Sequence, residues 1–152
     1  MAKSTFAYVT YVRTTPEKLW NGLTSTEFLK RCWMGAIIES DWKVDSPWRA
    51  TSPEGTIFDS GVIIESIPQK RLVLQWQNEW NPEFKAEGNS YCVYEIEPVG
   101  TSVKLTITHS IDRSDSMFIA SVSTAWPMLA SNLKSLLETG EAVLVANPRH
   151  AN

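Results

Sequence analysis

Between Arg71 and Ile111 the apolar residues fall mainly on alternate positions, and from Trp126 to Leu137 they recur at intervals of three and four. In 71–80, Leu72, Leu74, Trp76 and Trp80 share one parity, while Gln75, Gln77 and Glu79 take the other. In 90–97, Cys92, Tyr94 and Ile96 alternate with Val93, Glu95 and Glu97. In 102–111, Val103, Leu105, Ile107, His109 and Ile111 alternate with Lys104, Thr106 and Thr108. Successive side chains on a strand point to opposite faces, so each stretch predicts a strand with one buried face. The connections are too short for helical crossovers, which makes the three an antiparallel meander.

Near the end, Trp126, Leu129, Leu133, Leu136 and Leu137 form one stripe of a helix that Gly140 is suited to cap. Met117, Phe118, Ile119 and Val122 extend the stripe backwards. A helix therefore begins near Asp115 and kinks or restarts at Pro127, with Thr124 as the cap in the second case. The tail, Glu141–Asn152, either adds a little helix or frays.

The first half reads in shorter pieces. Residues 5–13 are rich in β-branched and aromatic types and predict a strand. Thr14 and Glu17 have the spacing of a capping box, with Pro16 in the first turn, and predict a short helix to about Leu23. Thr24 and Glu27 repeat that spacing before a second short helix to about Cys32. Strands follow at 36–41, 48–51 and 56–67, the last two joined by a turn at Pro53-Glu54-Gly55. The chain thus predicts an α+β fold: one domain over residues 1–152, core about 5–140. A curved antiparallel sheet of six to seven strands wraps around a long C-terminal helix, with two short helices after the first strand. One helix cannot cover a strongly curved sheet completely, and the wedge left between them is the place for a ligand.

Composition narrows the function classes. A chain of 152 residues with 43% hydrophobic and 20% charged residues can bury a core without a disulfide or metal. The net charge is −3 and the basic residues are scattered, which argues against a nucleic-acid partner. Cys32 and Cys92 form no Cys-x-x-Cys pair, and His109 and His150 offer no ligand spacing, so neither a metal nor another cofactor is expected. Both cysteines read as small buried hydrophobes. Met1–Phe6 lacks the features of a secretory signal, and no run approaches the ~18 apolar residues of a membrane span, so a cytoplasmic protein without membrane insertion is expected. Seven tryptophans are many for this length; they suit either a dense core or a cavity with flat amphipathic walls.

Six segments carry a family resemblance in the right order. They are Thr14-Thr15-Pro16-Glu17-Lys18-Leu19-Trp20, Ser40-Asp41-Trp42-Lys43-Val44, Glu95-Ile96-Glu97-Pro98, Leu105-Thr106-Ile107-Thr108-His109, Ala125-Trp126-Pro127 and Leu133-Lys134-Ser135-Leu136-Leu137-Glu138-Thr139-Gly140. Over about residues 5–140 the chain resembles the START-like (SRPBCC, helix-grip) superfamily, in the branch named for the C-terminal domain of the activator of Hsp90 ATPase. Two positions depart from that pattern: Asp45 and Ala125 stand where glycine is usual. The second departure bears on the pocket mouth. The resemblance implies a deep cavity between sheet and long helix that takes lipids, polyketides or other apolar molecules in many relatives. The eukaryotic co-chaperones carry a separate N-terminal domain and this chain opens on the START-like strand, so the family name alone does not imply chaperone activation.

Strand parity and helix phase select the candidate ligand-binding residues: Trp33, Trp76, Trp80, Tyr94, His109, Met117 and Trp126. Trp76, Trp80, Tyr94 and Trp126 share the predicted inner surface, as a ligand wall or as packed core. Trp33 lies where the mouth is expected, and Met117 and Met128 are adaptable fillers or core. His109 is a polar anchor, a general acid or base, or a neutral histidine bonded within the fold. No catalytic signature is present and Asp41 reads as a strand-end residue, so no catalytic residue is assigned. The expected function is binding of a small hydrophobic ligand. The alternatives are an enzyme of the polyketide cyclase, dehydratase or hydrolase kind using the same cavity, and a module that contacts a chaperone.

Overall fold

A computed structural model of the chain describes residues 2–146, so His150 and the last residues of the tail lie outside the described residues. The elements run β1 (Ser4–Val12), α1 (Pro16–Leu23), α2 (Thr26–Cys32), β2 (Ile37–Ser40), β3 (Pro47–Thr51), β4 (Ile57–Ile67), β5 (Arg71–Asn78), α3 (Pro82–Ala86), β6 (Ser90–Val99), β7 (Ser102–Ile111) and α4 (Met117–Thr139). All seven strands form one antiparallel sheet in the order β1-β7-β6-β5-β4-β3-β2. The fold is the α+β helix-grip arrangement, a curved sheet around the long C-terminal helix.

The alternating strands bury the predicted parity. Val103, Leu105, Ile107, His109 and Ile111 are all buried, as are Cys92, Tyr94 and Ile96 opposite them. In β5, Leu72, Leu74 and Trp76 are buried, but the strand ends at Asn78 and Trp80 leaves it. A short helix, α3, follows that the alternation does not predict; Asn81 caps it by accepting from the N–H groups of Glu83 and Phe84. In β4 the register slips between Ile63 and Glu65, a bulge that exchanges the faces on either side of it and bends the strand.

Both N-terminal caps fall one residue later than the spacing predicts. Pro16 occupies the first helical position, so Thr15 becomes the cap of α1 and accepts from the Lys18 N–H at 3.2 Å. Thr14 takes no part, and its buried hydroxyl has no hydrogen-bond partner among the described residues. Ser25, not Thr24, caps α2, while the Thr24 hydroxyl donates to the Trp20 carbonyl at the end of α1.

Helix α4 is continuous through Pro127 and does not restart at Thr124. Proline removes one helical donor, and helix packing on both sides outweighs that loss. Its second half is fixed to β1: the Lys134 ammonium donates to the Tyr11 carbonyl at 2.6 Å, and the Arg13 N–H donates to Glu138 Oε2 at 2.7 Å. Gly140 caps it with φ +83°. The described part of the tail forms no helix; it folds back so that Leu144 exchanges hydrogen bonds with the buried amide of Asn132. Both cysteines are free and buried. No helix among the described residues is long and apolar enough to cross a membrane.

Asp45, at the position where glycine is usual, has φ +72°. The tight turn before β3 needs the left-handed region, which explains the family's preference. Asp tolerates it better than most residues, and its N–H is held by the Ile63 carbonyl at 2.9 Å.

Candidate functional site

The backbone of the first half of α4 stands off from β3, β4 and β5, and Trp126 reaches across to Trp76. Between them lies a cavity of about 850 Å³, inside the usual range of roughly 300–1,000 Å³ for small-molecule sites. Its mouth is framed by the α2–β2 connection, the β3–β4 turn, α3 and the first half of α4. Ala125, the second departure from the family pattern, lines it, as do Met128 and Leu129.

The back wall depends on a missing side chain. Trp48, Gly61 and Trp76 are cross-strand neighbours on β3, β4 and β5. A Cβ on Gly61 would stand 1.7 Å from the Gln75 carbonyl oxygen and 2.6 Å from Trp48 Nε1. With only hydrogen there, the Trp48 indole lies across β4, donates to the Gln75 carbonyl at 2.9 Å and meets Trp76 edge to face at 4.6 Å. Trp33 stacks on Trp76 at 5.8 Å, and Trp126 meets both at 6.0 Å. Such aromatic pairs add about 0.5–1.5 kcal/mol each beyond their buried area. Phe58, Trp80, Phe84 and Phe118 carry the aromatic lining outwards.

One row further along, Asp59 on β4 faces Asn78 on β5. Asp59 Oδ1 accepts from Trp76 Nε1–H at 3.0 Å and from the Asn78 side-chain amide at 3.1 Å. The amide's orientation is set from behind, because Asn78 Oδ1 accepts from the N–H groups of Trp80 and Asn81. Asp59 Oδ2 has no hydrogen-bond partner among the described residues and is not sealed off. Burial pushes the Asp59 carboxyl up to about 6, against the opposing effect of its two donors. Glu79 adds a little by like-charge repulsion and is itself held low by the Ser60 hydroxyl and Lys85. Asp59 and Asn78 are not among the residues that pattern selects; the readable signal is Asn78, which shares the parity of Trp76 and Trp80 and pairs with Asp59 across the strands.

Four of the seven candidates, Trp33, Trp76, Trp80 and Trp126, line this cavity. Trp80 does so from the loop after β5, at 65% exposure. Tyr94 is buried under Trp126, 5.9 Å from it, and borders a separate hollow of about 10 Å³ with Trp42 and Trp48. Met117, the first residue of α4, is 47% exposed and off the lining.

His109 lies on the predicted face but behind the wall, at 0% exposure. Trp126 Nε1–H donates to His109 Nδ1 at 3.2 Å, which leaves the proton of a neutral ring on Nε2, 2.8 Å from the Ser90 hydroxyl. Ser90 in turn donates to the Trp76 carbonyl at 3.4 Å. Burial lowers the His109 pKa to about 3, consistent with that neutral form. The arrangement ties the Trp126 indole to the strand that carries Trp76. Among the described residues, no group of three or more His, Cys, Asp or Glu is placed to hold a metal ion.

The comparisons with known proteins agree with this architecture. Residues 13–138 match the model of the family described as Activator of Hsp90 ATPase homolog 1-like protein. A protein from Mesorhizobium loti has the same fold, with 21% identity, a TM-score of 0.77, and coverage of 88% of this chain and 96% of its own. The Aha1 dimer from Colwellia psychrerythraea is 22% identical with a TM-score of 0.75, covering 91% and 99%. An HSP90 activator from Plasmodium falciparum is 22% identical with a TM-score of 0.66, covering 80% and 86%. Among curated protein sequences none matches. The span of the family match and the helix-grip architecture together place this chain in the Activator of Hsp90 ATPase homolog 1-like family of the START-like superfamily.

Proposed function

We propose that the protein binds a small hydrophobic molecule, of lipid, polyketide or aromatic type, in the cavity between β3–β5 and α4. The observation that carries this reading is a space of about 850 Å³ walled by indole and phenyl rings. Apolar burial supplies most of the affinity, at about 25 cal/mol per Å² before ordering costs. The rings favour flat, aromatic ligands over flexible chains, because a rigid partner loses little conformational freedom on stacking. His109 serves as a positioning residue for Trp126, and the polar contact to the ligand falls to Asp59.

A thermal-shift screen against flavonoids, polyketides, fatty acids, sterols and arylalkylamines tests the reading. A ligand at 100 times its dissociation constant stabilises the fold by about 2.7 kcal/mol, a shift of roughly 5–11 °C for a domain of this size. No shift in any class, with a cooperative melt, refutes it. Trp80→Ala and Trp126→Ala should weaken binding, whereas Trp42→Ala, which removes a residue of the separate hollow, should not. Trp80 is exposed, so its variant retains the fold if Trp126→Ala does not.

Contact with a chaperone is the second reading, and the family assignment favours it. It uses the outer surface, so a pull-down with the chaperone's middle domain that succeeds equally with Trp80→Ala separates it from ligand binding.

A further inference from the structure

The charged residues that line the cavity are Glu54 and Asp59; no lysine, arginine or histidine lines it among the described residues. Lys85, on α3, is engaged by Glu79 at 2.9 Å. A fatty acid or another anion placed in this space would meet two carboxylates and no counter-charge. The polar end of the cavity offers the opposite match. Both donors to Asp59 are neutral and both use Oδ1, so they orient the carboxylate without balancing its charge. Oδ2 is left free on a carboxylate that can accept about four hydrogen bonds. The surrounding walls are aromatic faces, and the negative face of an indole attracts a cation.

Resting on the ligand-binding reading above, we infer that the ligand is an arylalkylamine, an aromatic ring system carrying an aliphatic amine, in its protonated form. Its ring system lies in the cavity against the wall that Trp33, Trp76 and Trp126 form, and its ammonium donates to Asp59 Oδ2. The raised pKa of Asp59 accords with this arrangement: the empty site holds a carboxylate that burial disfavours, and a bound ammonium relieves that cost. The proton stays on the amine, because a free alkylamine titrates several units above this carboxyl.

A matched series of probes tests the inference: naphthylethylamine, naphthylethanol and naphthylacetate, which share one ring system and differ in charge. Isothermal titration at neutral pH should show the amine binding at least about tenfold more tightly than the alcohol, with the carboxylate weakest. A factor of ten is about 1.4 kcal/mol, within the range of a charge-assisted hydrogen bond. Asp59→Asn keeps an oxygen for Trp76 and Asn78 and removes the charge; it should weaken the amine by at least about tenfold relative to the alcohol and so abolish the amine's advantage. Equal or better binding of the alcohol or the carboxylate, or an amine preference that survives Asp59→Asn, overturns the inference while leaving ligand binding intact. Failure of all three probes to bind overturns this inference, and the binding reading falls with it only if the thermal-shift screen is negative as well.

Discussion

Asp59→Asn should make the empty protein more stable at neutral pH, although it alters the cavity's main polar group. The carboxyl is raised from an ordinary 3.8 to about 6 by burial. That rise corresponds to about 3 kcal/mol, at roughly 1.4 kcal/mol per pH unit, of preference for the neutral form in the folded state. The native state holds its proton at pH values where the unfolded chain has released it. Stability therefore falls as pH rises from about 4 to about 6 and stays low above that. Asparagine has no charge to desolvate and can still accept from Trp76 Nε1–H and Asn78. Water at the accessible side of Asp59 screens part of the cost, so the net gain is taken as about 1.5–3 kcal/mol. For a chain of this size that is a rise in melting temperature of about 3–12 °C.

Paired thermal melts of wild type and variant at pH 7.5 and pH 4 provide the assay. The difference between the two proteins should be largest at pH 7.5 and shrink below about 0.6 kcal/mol at pH 4, where the wild-type carboxyl is protonated as well. Taking the difference at each pH cancels the opposite contribution of His109. Burial lowers that residue to about 3, so its share of stability falls as pH drops below the ordinary histidine value of 6.5. A variant less stable than wild type at pH 7.5 would refute the desolvation argument, and an equal gain at both pH values would assign it to packing of the amide.

Gly61→Ala should cost about 3 kcal/mol or more in urea unfolding, because its Cβ meets the Gln75 backbone and the Trp48 ring; a cost below about 1 kcal/mol would mean that β4 and β5 can part there. Gly22→Ala should be milder, since the nearest atoms, at 2.9 Å, belong to the rotatable Phe28 ring. His109→Phe should cost about 1–3 kcal/mol by stranding the Trp126 N–H, and should make stability less sensitive to acid between pH 6 and pH 4, read by melts across that range. Asp45→Gly should raise the urea midpoint by about 0.5 kcal/mol in stability terms by relieving φ +72°, with no change in ligand affinity.

Where one periodicity governs a whole element, the chain's pattern and its structure coincide. Strand β7 buries every position its alternation selects, and the stripe from Trp126 to Leu136 faces the sheet. Parity assigns a face, however, and not a depth. His109 and Trp76 share the inner face, yet the histidine is covered by Trp126, whose indole donates to it, while Trp76 borders the cavity. Tyr94 is covered in the same way. The caps of α1 and α2 were displaced by one residue because spacing alone does not distinguish which of two adjacent hydroxyls is free to cap. Helix α3 is too short for a periodic signal, although Asn81-Pro82-Glu83 has the composition of a helix start.

The hidden position of Asp59 has a more specific cause. In 57–67 both parities carry apolar residues: Phe58, Val62 and Ile64 on one, Ile57, Ile63 and Ile67 on the other. The bulge at Ile63–Glu65 exchanges the faces partway along, so no single phase fits the strand and the inward direction of Asp59 cannot be read from alternation. Gly61 and the bulge lie within a few residues of Asp59, and each departs from what a plain strand would choose. Gly61 lets Trp48 pack behind the back wall, Trp48 supports Trp76, and Trp76 then donates to Asp59. The irregularities that obscure this strand's pattern are therefore the same ones that build the polar end of the cavity. A variant series along β4 should show this coupling: removing the Trp48 indole should loosen Trp76 and weaken amine binding even though Trp48 does not line the cavity, as a titration of Trp48→Phe with naphthylethylamine would measure. Unchanged affinity in that variant would show that Asp59 is positioned by Asn78 alone.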